Sequence, residues 1–429
     1  MRQRIDRRRF LGQTAALSAS YWLGAESARS AAQAPSEKLN LAVIGLGGQG
    51  GANLGAAASQ NIVALCDVDD QRAGKAYERF PQAKKFYDFR KLYDEVGSKI
   101  DGVVISTPDH THFHPAFAAM QMGKHVYLEK PMAHTVWEVR KLTQLAAEKK
   151  VATQLGCQRH AMDNMRRVAE LLQSGVIGEV RVCHAWVGGS RGMPAVPTDK
   201  PPVPEHLKWD LWLGPAAERA YSPEFAPYKW RFWWDFGTGE TGNWGCHILD
   251  IPFWGLGLKY PTKVEGSGPE VHPQTTPKSM ATRFEFPAEG KRGKLELHWY
   301  HGTPPILAKL GLKDGGANNL FIGSEGMLLA GFSTYRLLPE EKFKEAKLPD
   351  PFLPKSPGFH REWFDACKGG KPASCHFGYT GPLTETVLLG NVAYRAGGSF
   401  DWDHANLKTG GNAKAEQYIR SPFRKGWEV

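Results

Sequence analysis

Cysteine is scarce in this 429-residue chain: six residues, at 66, 157, 183, 246, 367 and 375, with no C-x-x-C pair and no spacing that suits zinc. That excludes a disulfide scaffold and a zinc-ribbon module. Four of the six sit inside apolar, strand-like runs, so buried free thiols are expected, and only Cys367 and Cys375 are close enough in sequence to raise a disulfide. Long apolar runs are also missing. Beyond the first 34 residues no stretch of about eighteen uncharged apolar residues could cross a bilayer as a helix, so a soluble mature protein is expected. Strong charge of one sign is absent too. The net charge is +10, but residues 1–34 hold six Arg against one Asp and one Glu, which leaves +6 for the rest, intermixed with acids. No basic stripe and no nucleic-acid motif appear, which argues against a nucleic-acid partner. There is no internal repeat and no low-complexity tract. What remains is an ordinary globular composition, 41% hydrophobic and 23% charged, long enough for two packed domains.

The N-terminus reads Arg7-Arg8-Arg9-Phe10-Leu11-Gly12, then a moderately apolar stretch from Gln13 to Ala25, then Ala32-Gln33-Ala34 before Pro35. Basic, apolar and small residues in that order form a secretory signal. No period of 3.6 runs through the segment, which argues against an amphipathic surface helix. D-R-R-R-F-L-G resembles the twin-arginine signal, which implies the twin-arginine export machinery as a partner and a periplasmic or exported location. Residues 1–34 are therefore set apart as a leader, without a membrane association after processing.

Leu39 to Ile44 is a short apolar run ending directly in Gly45-Leu46-Gly47-Gly48-Gln49-Gly50. A lone G-x-G-x-x-G is weak evidence. Here a small-residue helix from Ala52 to Ala58 follows, and then a second strand, Ile62 to Cys66, which ends at Asp67. Gly45 permits the tight turn, Gly47 lets backbone N–H groups approach a pyrophosphate, and Gly50 lets helix pack on strand. Leu46 and Gln49 complete the loop, with the helix N-terminus facing the phosphates. Asp67 suits a ribose hydroxyl, and Asp69 and Asp70 beside it would repel a 2′-phosphate. The reading is NAD, with NADP less favoured, although Arg72 lies near.

Ile100 to Ser106 reads as a further buried strand, followed by Thr107-Pro108-Asp109-His110-Thr111-His112-Phe113-His114, a helix from Pro115 to Met122, a strand from His125 to Leu128, and Glu129-Lys130-Pro131. Ligands bind at the carboxyl ends of such strands, so Thr107, Pro108, His110, His112, Glu129 and Lys130 are expected to converge on the cofactor. Three histidines in five residues raise a metal. Alternating faces, a bent loop and no completing cysteine or carboxylate favour loop contacts instead, and no metal is expected.

Ala42 to Gly50, Ser106 to His112 and Glu129-Lys130-Pro131 together resemble the glucose-fructose oxidoreductase/inositol dehydrogenase (Gfo/Idh/MocA) family. The segment Tyr379 to Glu385, followed by an apolar helix, is similar to late segments of exported bacterial members. The resemblance implies a Rossmann domain, assigned here to 35–160, and an α/β domain at 161–429 with an open, mostly antiparallel sheet. It implies hydride transfer between NAD(P) and a secondary alcohol or hemiacetal of a sugar or polyol, with Lys130 catalytic. The family's D-x-G-x-H element matches Asn243-Trp244-Gly245-Cys246-His247, which gives His247 the acid/base position. Asn243 replaces the expected Asp. On a helix Asn243 and Asp250 would share a face with His247 at i−4 and i+3, so Asp250 is expected to supply the missing charge.

Eight tryptophans, at 186, 209, 212, 230, 233, 234, 244 and 254, fall within seventy residues. Most should fill core, and some should offer flat faces to a sugar ring, with Arg231, Asp235 and Asn243 as polar readers. The Pro-rich stretch Met193 to Pro204 reads as a surface excursion near the site mouth. Alternating runs at 264–266, 281–287, 294–300 and 319–329 predict a half-exposed antiparallel sheet, which a second subunit would cover, hence a homo-oligomer. Residues 360–368 and 381–394 predict an amphipathic and a long buried helix. Three functions compete: an exported oxidoreductase with retained, recycled NAD; a redox-neutral NAD-dependent glycosidase; and a non-catalytic sugar-binding relic.

Overall fold

Strands packed on both faces need no polar alternation, so the apolar runs of the first half form a parallel sheet. A computed structural model describes residues 38–189 and 191–429; the leader and its export motif lie outside the described residues. Strands β1 (Asn40–Ile44), β2 (Asn61–Cys66), β3 (Lys84–Phe86), β4 (Gly102–Ile105), β5 (His125–Leu128) and β6 (Thr153–Leu155) pair in the order β3-β2-β1-β4-β5-β6, all parallel. This is the doubly wound dinucleotide-binding order, with its crevice beyond the carboxyl ends of β1 and β4. The first helix, Gln49–Ala57, starts three residues earlier than Ala52, because Gly48 at its N-cap adopts φ 57° and turns the chain at once. Asp69 and Asp88 cap the next two helices, and Thr135 with Glu138 forms a capping box on Val136–Lys149.

The second sheet has eight strands. In chain order these are β7 (Val180–Val187), β8 (Lys263–Ser267), β9 (Ala281–Phe286), β10 (Leu295–His301), β11 (Asn319–Gly323), β12 (Met327–Ala330), β13 (Tyr335–Leu338) and β14 (Ser399–Asp401). They pair as β13-β12-β11-β7-β10-β9-β8-β14. Only β7 and β10 run parallel; every other neighbouring pair is antiparallel. β9 and β10 alternate buried and half-buried residues along their length, as a sheet with one covered face requires. On the more open face Arg283 pairs with Glu296, Glu285 and Glu265, and the His184 ring stacks on His298 at 4.8 Å.

The long helix Phe377–Ala396 is buried through most of its length and packs against both β8 and the helix Val136–Lys149. Its Glu385 takes two 2.7 Å hydrogen bonds from the Arg140 guanidinium, a bidentate pair that ties the two sheet systems together. All six cysteines are free thiols, five buried and Cys367 half-buried. No described helix is long and apolar enough to cross a membrane.

Candidate active site

A cleft of about 430 Å³ runs along the carboxyl ends of β1, β2, β4 and β5 to the helix Gly239–Ile248 of the second domain. One end is the glycine loop. Gly45 has φ +85°, and a Cβ there would lie 2.5 Å from the Ser106 carbonyl oxygen; a Cβ on Gly50 would lie 2.1 Å from the oxygen of Gly45. Nothing larger than glycine fits either position. Gly47 and Gln49 line the cleft, while Leu46 is buried behind it. The Asp67 carboxylate lines the same end and accepts from the backbone N–H of Leu46 at 2.7 Å and of Asp69 at 3.0 Å. Burial raises its pKa, partly offset by those two N–H donors. Arg72 lies across the loop, its Nε 2.5 Å from where a Gly47 Cβ would be. The loop and the acceptor at the end of β2 fit a dinucleotide: a glycine cradle for phosphates and a carboxylate for a ribose.

Thr107, Pro108, Glu129 and Lys130 line the middle of the cleft, as expected. Glu129 is a brace. Its Oε1 accepts from Asn53 Nδ2 at 2.9 Å and Gln158 Nε2 at 2.7 Å, which fastens the end of β5 to the first helix. His110 and His112 differ from the expectation: neither ring lines the cleft. The His110 nitrogens face the carbonyls of Phe236 and Trp212 at 3.2 and 3.0 Å, and burial lowers its pKa to about 3. The His112 nitrogens face the carbonyls of Pro131 and Thr107 at 2.7 and 2.8 Å. Both rings sit against main chain behind the wall; His110, being neutral, donates from one nitrogen only, and its other nitrogen is enclosed as well. His114 is the one of the three that reaches the cleft.

The far end joins Lys130, Asn243 and His247. The Lys130 ammonium donates to Asn243 Oδ1 at 3.0 Å, and Asn243 Nδ2 donates to Glu240 Oε2 at 3.0 Å. A carboxylate only accepts, so it fixes the amide: nitrogen toward Glu240, oxygen toward the lysine. Glu240 is 1% exposed and is held in turn by Arg191, whose Nη1 donates to the Tyr228 hydroxyl at 2.6 Å. Glu240 escaped the sequence reading, although an acid three residues before Asn243 on one helix was a visible signal. Asp250 is not the partner of His247. Its oxygens take His160 Nδ1 at 2.8 Å and the Tyr379 hydroxyl at 2.6 Å, and it does not line the cleft. With Cys375 these groups put three potential ligand atoms within 4.8 Å of one another, but His160 and Tyr379 already satisfy the carboxylate. His247 is left with a buried Nδ1 that has no hydrogen-bond partner among the described residues. Burial first, then the charges of Lys130 and Arg159, push its pKa well below 6.5, so the imidazole is neutral.

Aromatic walls close this end. Trp212, Trp230, Trp244 and Tyr228 line the cleft, whereas Trp186, Trp233 and Trp234 are buried in hydrophobic clusters and do not reach it, although Trp233 shares its cluster with Trp212 and Trp230. Arg231 lines the cleft; Asp235 does not and pairs with Arg219 at 2.7 Å. Residues 193–204 carry no regular structure and stay off the cleft wall, but the chain just beyond them does reach the glycine-loop end, where Asp69 bridges to Leu207.

Two family models match the chain. One, described as an oxidoreductase family with an NAD-binding Rossmann fold, covers residues 39–157; the other, the family's C-terminal alpha/beta domain, covers 182–429. The rhizopine catabolism protein MocA of Rhizobium meliloti is 27% identical over 151 residues, 35% of this chain and 47% of that protein. A glycosyl hydrolase family 109 protein of Solibacter usitatus is 30% identical over 166 residues, 34% of this chain and 36% of that protein. The matched stretches thus span half or less of these curated relatives. Among solved structures, an inositol dehydrogenase homolog from Azotobacter vinelandii, complexed with NADH and myo-inositol, superimposes with a TM-score of 0.57 at 17% identity, over 86% of this chain and 98% of that one. Glycine cradle, sheet order, both domain matches and overall fold agree: the chain belongs to the Gfo/Idh/MocA oxidoreductase family, and residues 39–157 are its NAD-binding Rossmann domain.

Proposed function

We propose that this protein is an exported NAD-dependent oxidoreductase acting on a secondary alcohol or hemiacetal carbon of a sugar or polyol. The observation that carries the reading is the meeting of Lys130, Asn243 and neutral His247 in one cleft with the glycine loop. Bound NAD supplies the acceptor or donor of the hydride. The chain's own residues handle orientation and the proton. One N–H of the Lys130 ammonium is spent on Asn243, and the others are available to hold the substrate oxygen. A neutral imidazole without a carboxylate behind it accepts the hydroxyl proton during oxidation and returns it during reduction. Trp230 and Trp244 offer apolar faces to the C–H side of a sugar ring.

The twin-arginine-like leader supports export in the folded state, and with it a cofactor acquired before export and regenerated in place by a second substrate. Replacing Arg7 and Arg8 by Lys should leave the protein inside the cell, measured by fractionation. The half-exposed face of the second sheet supports a homo-oligomer, and light scattering of purified protein should give at least twice the chain mass.

A second reading is a redox-neutral glycosidase of the same fold. The Solibacter relative favours it, as does the occupation of the nearby acids: Asp109 is held by Thr238 and Glu240 by Arg191. One experiment separates the readings. Denaturing the purified protein should release NAD, and free sugars should then change absorbance at 340 nm in the native protein without added cofactor. Release of nitrophenol from nitrophenyl glycosides with no such change would favour the glycosidase. No released nucleotide and no response to either would overturn both.

A further inference from the structure

Two arginines at the lysine end of the cleft have no acidic partner. Arg159 and Arg231 both line it, and among the described residues neither forms an ion pair. Each guanidinium lies on aromatic surface instead. Arg159 sits 4.2 Å from the ring centroid of Phe332 and 5.5 Å from that of Trp244; Arg231 sits 4.2 Å from Trp230 and 4.8 Å from Tyr228. The hydrogen bonding found for them is a single 3.3 Å contact from Arg231 Nη1 to the Tyr228 carbonyl. Arg140 by contrast is held by Glu385, whereas Arg395, outside the cleft, likewise lies on aromatic rings alone, 4.7 Å from that of Trp234 and 4.0 Å from that of Tyr418.

The carboxylates near this end are already engaged. Asp109 accepts from the N–H and hydroxyl of Thr238 at 3.1 and 2.6 Å, Glu240 holds Arg191 and Asn243, and Glu129 holds Asn53 and Gln158. Asp109 still acts on Arg231 through space, but outside ion-pair distance. His247, being neutral, adds no charge. Three cations therefore share this end of the cleft, two of them planar forks stacked in place. A guanidinium cannot shed its proton, so a half-desolvated one without an ion pair keeps N–H donors that an oxyanion would take up in charge-assisted hydrogen bonds. Contact with these rings restricts each side chain before the anion arrives, and a guanidinium fork suits two-point recognition of an oxyanion.

We propose that Arg159 and Arg231 form an oxyanion-binding subsite, so that the substrate is an anionic sugar, carrying a carboxylate or phosphate, rather than a neutral sugar or polyol. This rests on the reading of the cleft as a carbohydrate site. The same chemistry could serve the cofactor's diphosphate, but the glycine cradle for that group lies at the other end.

The test uses the purified mature protein with its NAD and follows quenching of tryptophan fluorescence and absorbance at 340 nm. Ligands are D-glucuronate, D-galacturonate and glucose 6-phosphate against D-glucose, D-galactose and myo-inositol. The anionic sugars should saturate at concentrations roughly tenfold or more below their neutral counterparts. Comparing the uronates with the phosphate identifies the anion. In Arg159→Gln and Arg231→Gln that preference should fall to near unity, with NAD content unchanged. Equal saturation by neutral and anionic sugars in the unmodified protein, which needs no variant to fold, would overturn the inference and leave the oxidoreductase reading standing. A preference that survives both substitutions would also overturn it. So would loss of NAD in the variants, which would reassign the arginines to the cofactor. No response to any sugar with NAD in place would overturn the functional reading and this one together.

Discussion

The two ends of the cleft are assembled from different kinds of information. At the glycine-loop end, 21 residues separate Leu46 from the Asp67 carboxylate that binds its N–H, and one βαβ unit holds both. At the lysine end, 113 residues separate Lys130 from Asn243, and Arg159 and Arg231 come from two further segments. The first end is local, built from backbone, small residues and one carboxylate, and it suits NAD whatever the substrate. The second is tertiary, built from long side chains on distant segments.

Four predictions press on that difference, from the largest expected effect to the smallest. Lys130→Ala should lower kcat by about 10²–10⁴-fold while leaving NAD bound, because it removes the oxygen-orienting ammonium and leaves the glycine loop intact. Steady-state kinetics with nucleotide analysis checks it, and loss of the nucleotide would show that the two ends are not separable. Gly50→Ala attacks the other end. Its Cβ would meet the Gly45 oxygen at 2.1 Å, so the turn must shift, and NAD retention should fall by roughly tenfold or more, with a lower Tm. Quantifying co-purified NAD checks this.

Asn243→Asp restores the family residue but should not restore a faster enzyme. It replaces the donor at 3.0 Å from buried Glu240 by a second carboxylate, so stability should fall by about 1–3 kcal/mol and kcat several-fold. Adding Glu240→Gln should recover both, since one negative charge is then again linked to Lys130. Denaturant unfolding and kcat on the two variants and the unmodified protein decide whether Glu240 supplies the missing charge.

The smallest effect is a slope with pH. Burial lowers the pKa of His110 to about 3 and of His114, His184 and His301 to about 4. Below pH 6.5 these rings gain protons in the unfolded chain but not in the folded one, so stability is full above 6.5 and declines as pH falls toward 4. Each contributes at most about 1.4 kcal/mol per pH unit. His160 opposes the trend: burial disfavours its charge, but Asp250 outweighs burial and raises its pKa. Raised Asp67 opposes it too, and so does Glu138, whose carboxyl burial pushes up to about 7. Melting curves between pH 7.5 and 5 should show a falling Tm, more steeply than in a His114→Gln variant.

Much of the fold could be read directly. The apolar runs at β1, β2, β4 and β5 are strands because continuous burial needs no alternation, and the half-exposed β9 and β10 show the period of two. β3 and β6 escaped, at three residues each, too short to show a pattern. Lys130, His247 and Asn243 were legible as a motif, but their bonds were not. Spacing on a helix put Asp250 on His247's face, yet the buried His160 and Tyr379 claim its carboxylate. His110 read as a cofactor contact, and carbonyls 102 and 126 residues away occupy its ring.

The sequence by itself determined the buried strands β1, β2, β4 and β5, the glycine cradle and the acceptor at the end of β2, because each shows in a local run of residues or in backbone geometry that only glycine allows. Tertiary structure alone decided which carboxylates are spent and which cations are left. An ion pair or a hydrogen bond forms at about 3 Å, and a distance of that size between segments a hundred residues apart exists only after the chain has folded.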